Sequence, residues 1–172
     1  FEKGAAKVFA STPEMIAYFE KRLGVPFPWQ KYDQIVVRDF VSGAMENTTA
    51  SIFMEELLLD EREALDSEWD YIIAHELFHQ WFGDLVTAES WSNLTLNEAF
   101  ANYSEYLWNA HRYGQDQANL KLVVEKEGYF GEADTEPKEL IRFNYADAED
   151  LFDAHSYNKG GLVLHMLRRQ LG

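Results

Sequence analysis

The chain has 172 residues, 47% hydrophobic and 15% aromatic, enough for one domain with a sizeable core. A net charge of −15 disfavours nucleic acid and anionic membrane surfaces as partners, because both repel an acidic surface. There are no cysteines, so disulfides and thiolate metal ligands are excluded.

In chain order, Thr12-Pro13-Glu14 has the form of a helix start, and Met15, Ile16, Phe19 and Leu23 follow at helical spacing before Gly24. Tyr32 to Phe40, with Ile35-Val36-Val37, predicts a buried strand, and Ser51-Ile52-Phe53-Met54 a second one. Between them, Glu46 is a charge flanked by apolar stretches, which alone reads as a surface turn residue. Residues 55–68 form a charged connector. Ser67 and Asp70 resemble a capping box that starts a helix closed by Gly83. A second long helix opens near Asn97 and ends at Gly114. A third runs from Asp116 to Lys126 with Leu120, Val123 and Val124 inward, and residues 128–145 read as an irregular surface segment. Ser156 begins a last helix with Leu162, Val163, His165, Met166 and Leu167 on its core side. No apolar run approaches the roughly 18–20 residues that span a bilayer. The chain begins at Phe1 without Met, so it reads as an excerpt of a longer protein.

The stretch His75-Glu76-Leu77-Phe78-His79 carries the chemistry. Residues i and i+4 of a helix share a face, so the two imidazoles can bind one zinc ion. Glu76 is turned about 100° from His75 and can serve as general base on a zinc-bound water without being a ligand. A catalytic zinc takes three protein ligands, and without cysteine the third must be His, Glu or Asp. Glu98, near the start of the next helix, is the best candidate; His111, His155 and His165 are poorer. Asn102 and Glu105 follow Glu98 along one helical line, where each either orients a ligand or faces solvent.

These residues together resemble the gluzincin aminopeptidases: His75-Glu76-x-x-His79, eighteen intervening residues, then Glu98 in Asn-Glu-Ala-Phe-Ala. Gly43-Ala44-Met45-Glu46-Asn47 looks like the exopeptidase motif of the aminopeptidase N family, and Tyr157-Asn158-Lys159-Gly160 like its Y-x-K-G stretch. Ala99 and Phe78 depart from the residues most common there, Gly and Ala.

The resemblance implies a helix-rich α+β, thermolysin-like catalytic domain over residues 1–172, with a small N-terminal β region. It implies a zinc aminopeptidase that hydrolyses the N-terminal peptide bond with a zinc-activated water. One Zn2+ would be held by His75, His79 and Glu98, with Glu76 as base and Tyr157 as donor to the oxyanion. Glu46 would bind the free α-amine, and the backbone of Gly43, Ala44, Met45 and Asn47 would line the substrate. The implied partners are peptides with a free N-terminus and flanking domains of the same longer chain. The family also contains a leukotriene epoxide hydrolase and relatives that have lost catalysis, which are the alternatives.

Overall fold

Helix α3, Asp70–Phe78, is the buried centre of the first half of the chain. Six of its nine residues are buried, on every side of the helix, as expected of a core helix rather than a surface one. The computed structural model describes residues 2–172, which fall into two compact units, Phe1–Leu85 and Val86–Gly172.

In the first unit, α1 (Glu2–Val8) and α2 (Thr12–Leu23) precede a three-stranded sheet of β1 (Asp33–Val36), β2 (Ala44–Met45) and β3 (Ala50–Phe53). The helix α2 ends where expected, at Gly24, whose φ of +67° lets its N–H reach the Glu20 carbonyl. Its N-cap is Ser11 rather than Thr12, whose hydroxyl is drawn away to Gln34. The sheet order is β1-β3-β2, with β1 parallel and β2 antiparallel to β3, and Met45 opposite Ile52. Strand β3 is the central one and turns Ser51 and Phe53 inward. Strand β1 is shorter than expected and not buried: it lies at the sheet edge, and Ile35 is 44% exposed. Phe19 meets Phe78 edge-on at 5.0 Å and Phe27 meets Trp81 at 5.3 Å, so α2 and the chain after it pack on α3. Ser67 does not complete a capping box; its hydroxyl accepts only from the Trp69 N–H, at 3.4 Å.

The second unit contains α4 (Thr95–Arg112), α5 (Gln115–Ala133) and α6 (Gly160–Leu171), with one π-helical turn, His155–Lys159, directly before α6. Tyr103, Tyr106 and Ala118 form a core that Leu107, Leu122 and Leu164 complete. Two expectations fail here. Leu120, Val123 and Val124 of α5 are exposed, and the helix instead buries Ala118 and Glu125. Val163, Met166 and Leu167 of α6 are exposed too, while Gly160 and Gly161 are buried. In α5 hydrophobicity alone assigns the wrong face because the charges that go inside are paired, as described below; in α6 the buried end is the glycine pair, which lies close against Ala99 of α4. Helix α5 also runs seven residues past Lys126, so the irregular segment begins only after Ala133. Among the described residues, no helix is long and apolar enough to cross a membrane.

Candidate active site

Helix α3 places His75 and His79 one turn apart, their ring centroids 4.8 Å from each other and tilted by 71°. His79 is buried, and its Nδ1 lies 2.9 Å from the Phe82 carbonyl oxygen. A carbonyl only accepts, so Nδ1 carries the proton and Nε2 the lone pair, the tautomer a metal ligand needs. That bond depends on how the chain leaves the helix. Asp84 N–H closes back onto the His79 carbonyl at 3.0 Å, with Gly83 at φ +139°. A Cβ on Gly83 would lie 3.0 Å from His79 Nδ1. Gly83 is therefore required by both its φ and its contact with the ring. Two imidazoles one turn apart, with a fixed tautomer and no thiolates nearby, fit zinc among common metals.

Glu76 is buried on the same helix. One carboxylate oxygen each from Glu46 and Glu76 and a ring nitrogen of His79 all lie within 4.8 Å of one another. Glu46 is thus no stray surface charge; it follows the edge strand β2 directly and faces the general-base candidate. Gly43 sits where a Cβ would meet Ile72 of α3 at 3.2 Å, which brings the Gly43–Asn47 segment close to the helix. Asp84 is also part of this acidic region. Burial raises its carboxyl to about 6, and Glu46 adds to the rise, while a Thr48 hydrogen bond and His79 oppose it. Burial likewise raises the Tyr32 hydroxyl, which donates to Ser51, and the charges of Glu76 and Asp84 add to the effect.

In the second unit, Glu98 lies in the first turn of α4 and is buried. Asn102 and Glu105, one and two turns further on, are buried as well, so neither faces solvent. Lys121 of α5 reaches between Glu105, at 2.7 Å, and Glu125, at 2.6 Å. Burial opposes its charge, but the two carboxylates outweigh that and raise its pKa. Asn102 Nδ2 donates to Glu125 at 3.1 Å and to the Tyr157 carbonyl at 3.3 Å. The π-helical turn bearing Tyr157 is held at further points. Thr95 donates to the Ser156 carbonyl at 3.1 Å, and Lys159 to the Lys138 carbonyl at 2.8 Å. Single π-helical turns recur at functional sites, and here the extra residue widens the turn at Tyr157. The turn leads into Gly160, where a Cβ would overlap Ala99 at 2.4 Å, so the two helices approach as closely as a glycine permits.

The remaining histidines have other employment. His155 donates to Glu132 at 3.0 Å and accepts the Lys138 N–H at 3.1 Å. The acidic group around it already holds Lys138 and Arg142 as its cations. His165 stacks edge-on against Tyr106 at 5.0 Å, and burial, with Arg168 and Arg169, lowers its pKa. His111 is at the exposed end of α4. Lys121, Glu125 and Gln80 had no assigned role in the sequence. The Lys121/Glu125 spacing of four residues was a signal for pairing, but not for burial.

The family described as Peptidase family M1 domain matches residues 8–172. Aminopeptidase M1 of Arabidopsis thaliana is 36% identical over 182 residues, covering 99% of this chain and 20% of its own length. Aminopeptidase N of Canis lupus familiaris is 38% identical over 169 residues, covering 91% of this chain and 17% of its own. Among solved structures, native yeast LTA4 hydrolase aligns with a TM-score of 0.82 at 26% identity, over 94% of this chain and 26% of that one. The M1 zinc metallopeptidase from Deinococcus radiodurans aligns with a TM-score of 0.70 at 28% identity, over 94% of this chain and 33% of that one. The chain spans about a fifth of the length of the curated relatives it matches.

Proposed function

The chain belongs to peptidase family M1, and from that premise we propose that residues 1–172 are the catalytic domain of a longer zinc aminopeptidase that releases N-terminal residues from peptides. His75, His79 and Glu98 hold the zinc in this reading. A zinc ion held there would supply Lewis acidity toward a water molecule and the scissile carbonyl.

The chain's own residues supply the rest. Glu76 takes the proton from the attacking water and returns it to the leaving amine. The Tyr157 hydroxyl donates to the carbonyl oxygen as negative charge gathers on it, typically the largest catalytic term. The substrate main chain adds to the open edge of β2 at Ala44 and Met45, as extended peptides add to sheet edges. Glu46 then pairs with the α-ammonium. Because Glu46 sits beside Glu76, only the first peptide bond lies within reach of the base.

The observation that carries this reading is the approach of Glu46, Glu76 and His79 to within 4.8 Å at the end of an edge strand. An acid beside the general base suits a substrate whose α-ammonium lies next to the scissile bond. The test is cleavage of an aminoacyl-anilide and its N-acetylated form by the full-length enzyme. The free amine is hydrolysed and the acetylated form is not. Glu46→Gln lowers kcat/KM for the free amine by about 10²-fold, in line with the roughly 2–5 kcal/mol lost when a partly desolvated charge pair loses one partner. Equal cleavage of both substrates by the wild type overturns the reading. The alternative is epoxide hydrolysis, favoured by the likeness to yeast LTA4 hydrolase. An epoxide substrate that outcompetes the anilide would decide for it.

A further inference from the structure

Gln80 follows His79 directly and is fully buried, at 0% exposure. Its side chain spans the turn that begins at Glu46. Nε2 donates to the Glu46 carbonyl at 3.2 Å, and Oε1 accepts the Thr49 N–H at 2.8 Å. Its own carbonyl is held by Trp29 Nε1 at 3.3 Å. The turn itself is tight, with Ala50 N–H closing on the Asn47 carbonyl at 2.8 Å. Thr49 lies at φ +65°, a left-handed conformation that a β-branched residue adopts only when its surroundings enforce it. Position i+2 of such a turn normally calls for glycine or asparagine. A buried amide that satisfies the Thr49 N–H and grips the Glu46 carbonyl is what holds threonine there.

The consequence concerns distance. Glu46 follows a two-residue strand and directly precedes the Asn47–Ala50 turn. The strand pairing and the turn hydrogen bond tie this segment to β3 and not to the helix that carries Glu76. Gln80 ties the Glu46 backbone to the last turn of the helix segment that carries Glu76 and His79. Asp84, just beyond, hydrogen-bonds to Thr48 of the same turn and adds a second tie.

We propose that Gln80 is the positioning residue for amine recognition: its buried side-chain amide sets the placement of Glu46 against the catalytic helix. The inference rests on the reading of Glu46 as the amine-binding group. Both side-chain hydrogen bonds of Gln80 go to the backbone of the Glu46–Thr49 segment, so its effect is exerted through that segment.

The experiment uses the full-length enzyme with Gln80→Met, which keeps the shape and removes both hydrogen bonds. KM for a free-amine aminoacyl-anilide rises about tenfold or more, since two partly buried backbone groups lose their partner, while kcat changes less and zinc content per chain is unchanged. Gln80→Met adds little in a Glu46→Gln background, because both changes remove the same interaction. Additive effects, or equal changes in kcat with KM untouched, overturn the inference. Amide exchange in the wild type gives a readout that does not depend on the variant folding: the Thr49 N–H is protected, and exchange at the rate of an open loop overturns the inference. A Glu46→Gln enzyme that still discriminates free from acetylated amines removes the functional reading and this inference together. A Gln80→Met enzyme with unaltered KM, beside a Glu46→Gln enzyme that has lost discrimination, removes this inference alone.

Discussion

The side chain of Asn102 donates to the main-chain carbonyl of Tyr157 at 3.3 Å, linking the middle of α4 to the π-helical turn. Asn102 is in turn held by Glu125 at 3.1 Å, and Glu125 by Lys121. A largely buried chain of three polar residues, Lys121, Glu125 and Asn102, therefore ends on the backbone of the proposed oxyanion donor. Tyr157→Phe should lower kcat by about 10²–10³-fold, the usual effect of losing one such donor. Asn102→Leu should lower kcat by about tenfold with KM nearly unchanged, because the Tyr157 hydroxyl shifts and the substrate contacts do not. The double variant should be no worse than Tyr157→Phe alone. Steady-state kinetics on one anilide checks all three.

Glu76→Gln should retain zinc and lose turnover. The substitution preserves volume and removes the proton acceptor, and general-base catalysis contributes roughly 10²–10⁴-fold. Metal analysis beside kcat checks this. A Glu76→Gln enzyme with wild-type activity would take Glu76 out of the mechanism.

Gly83→Ala should weaken zinc binding without altering any proposed ligand. The new Cβ would press on His79 Nδ1 at 3.0 Å, at a φ of +139° that alanine resists. Disturbing the hydrogen bond that orients a ligating histidine typically costs about 10–100-fold in metal affinity. Competition with a chelator of known affinity measures the change.

Acid should erode stability through Asp153. Burial raises its carboxyl pKa, but hydrogen bonds from Arg142, the Ser156 N–H and Lys138 outweigh burial and leave it below the usual value. A depressed folded pKa means that the contribution is present above the unfolded value of about 3.9 and is lost as pH falls through the folded one. Arg142→Met removes the largest of the opposing partners, so the stability difference between wild type and Arg142→Met should narrow as pH drops below about 4. Urea unfolding across that range, followed by circular dichroism, reads the difference directly.

The parts of the site that were legible in the sequence are local ones. Two histidines four apart with a glutamate between them form a working unit on any helix, wherever that helix is packed. Gly24 was legible as a helix terminator because left-handed backbone is a property of one residue. Gly83 was expected to close the zinc helix, but α3 ends at Phe78, and Gly83 instead turns the chain so that Asp84 N–H reaches the His79 carbonyl. The helix-rich architecture and the small sheet followed from periodicities of similar range.

What lies inside α5 was not legible, and the reason is energetic. A sequence pattern assigns lysine and glutamate to water because each alone is costly to bury. Lys121 is largely covered, with buried Glu105 on one side and buried Glu125 on the other, and its pairing with Glu105 joins residues 16 positions apart on different helices. Leu120, Val123 and Val124 consequently lie on the exposed face. Gln80 is the same case in the first unit: its two partners, Glu46 and Thr49, are 34 and 31 residues away. The sequence by itself determined which atoms can do the chemistry, because spacing along a helix is set by bonded geometry. Only the tertiary structure decided which polar side chains hold those atoms in place, because burying a polar group is favourable only where a distant part of the chain supplies its partner.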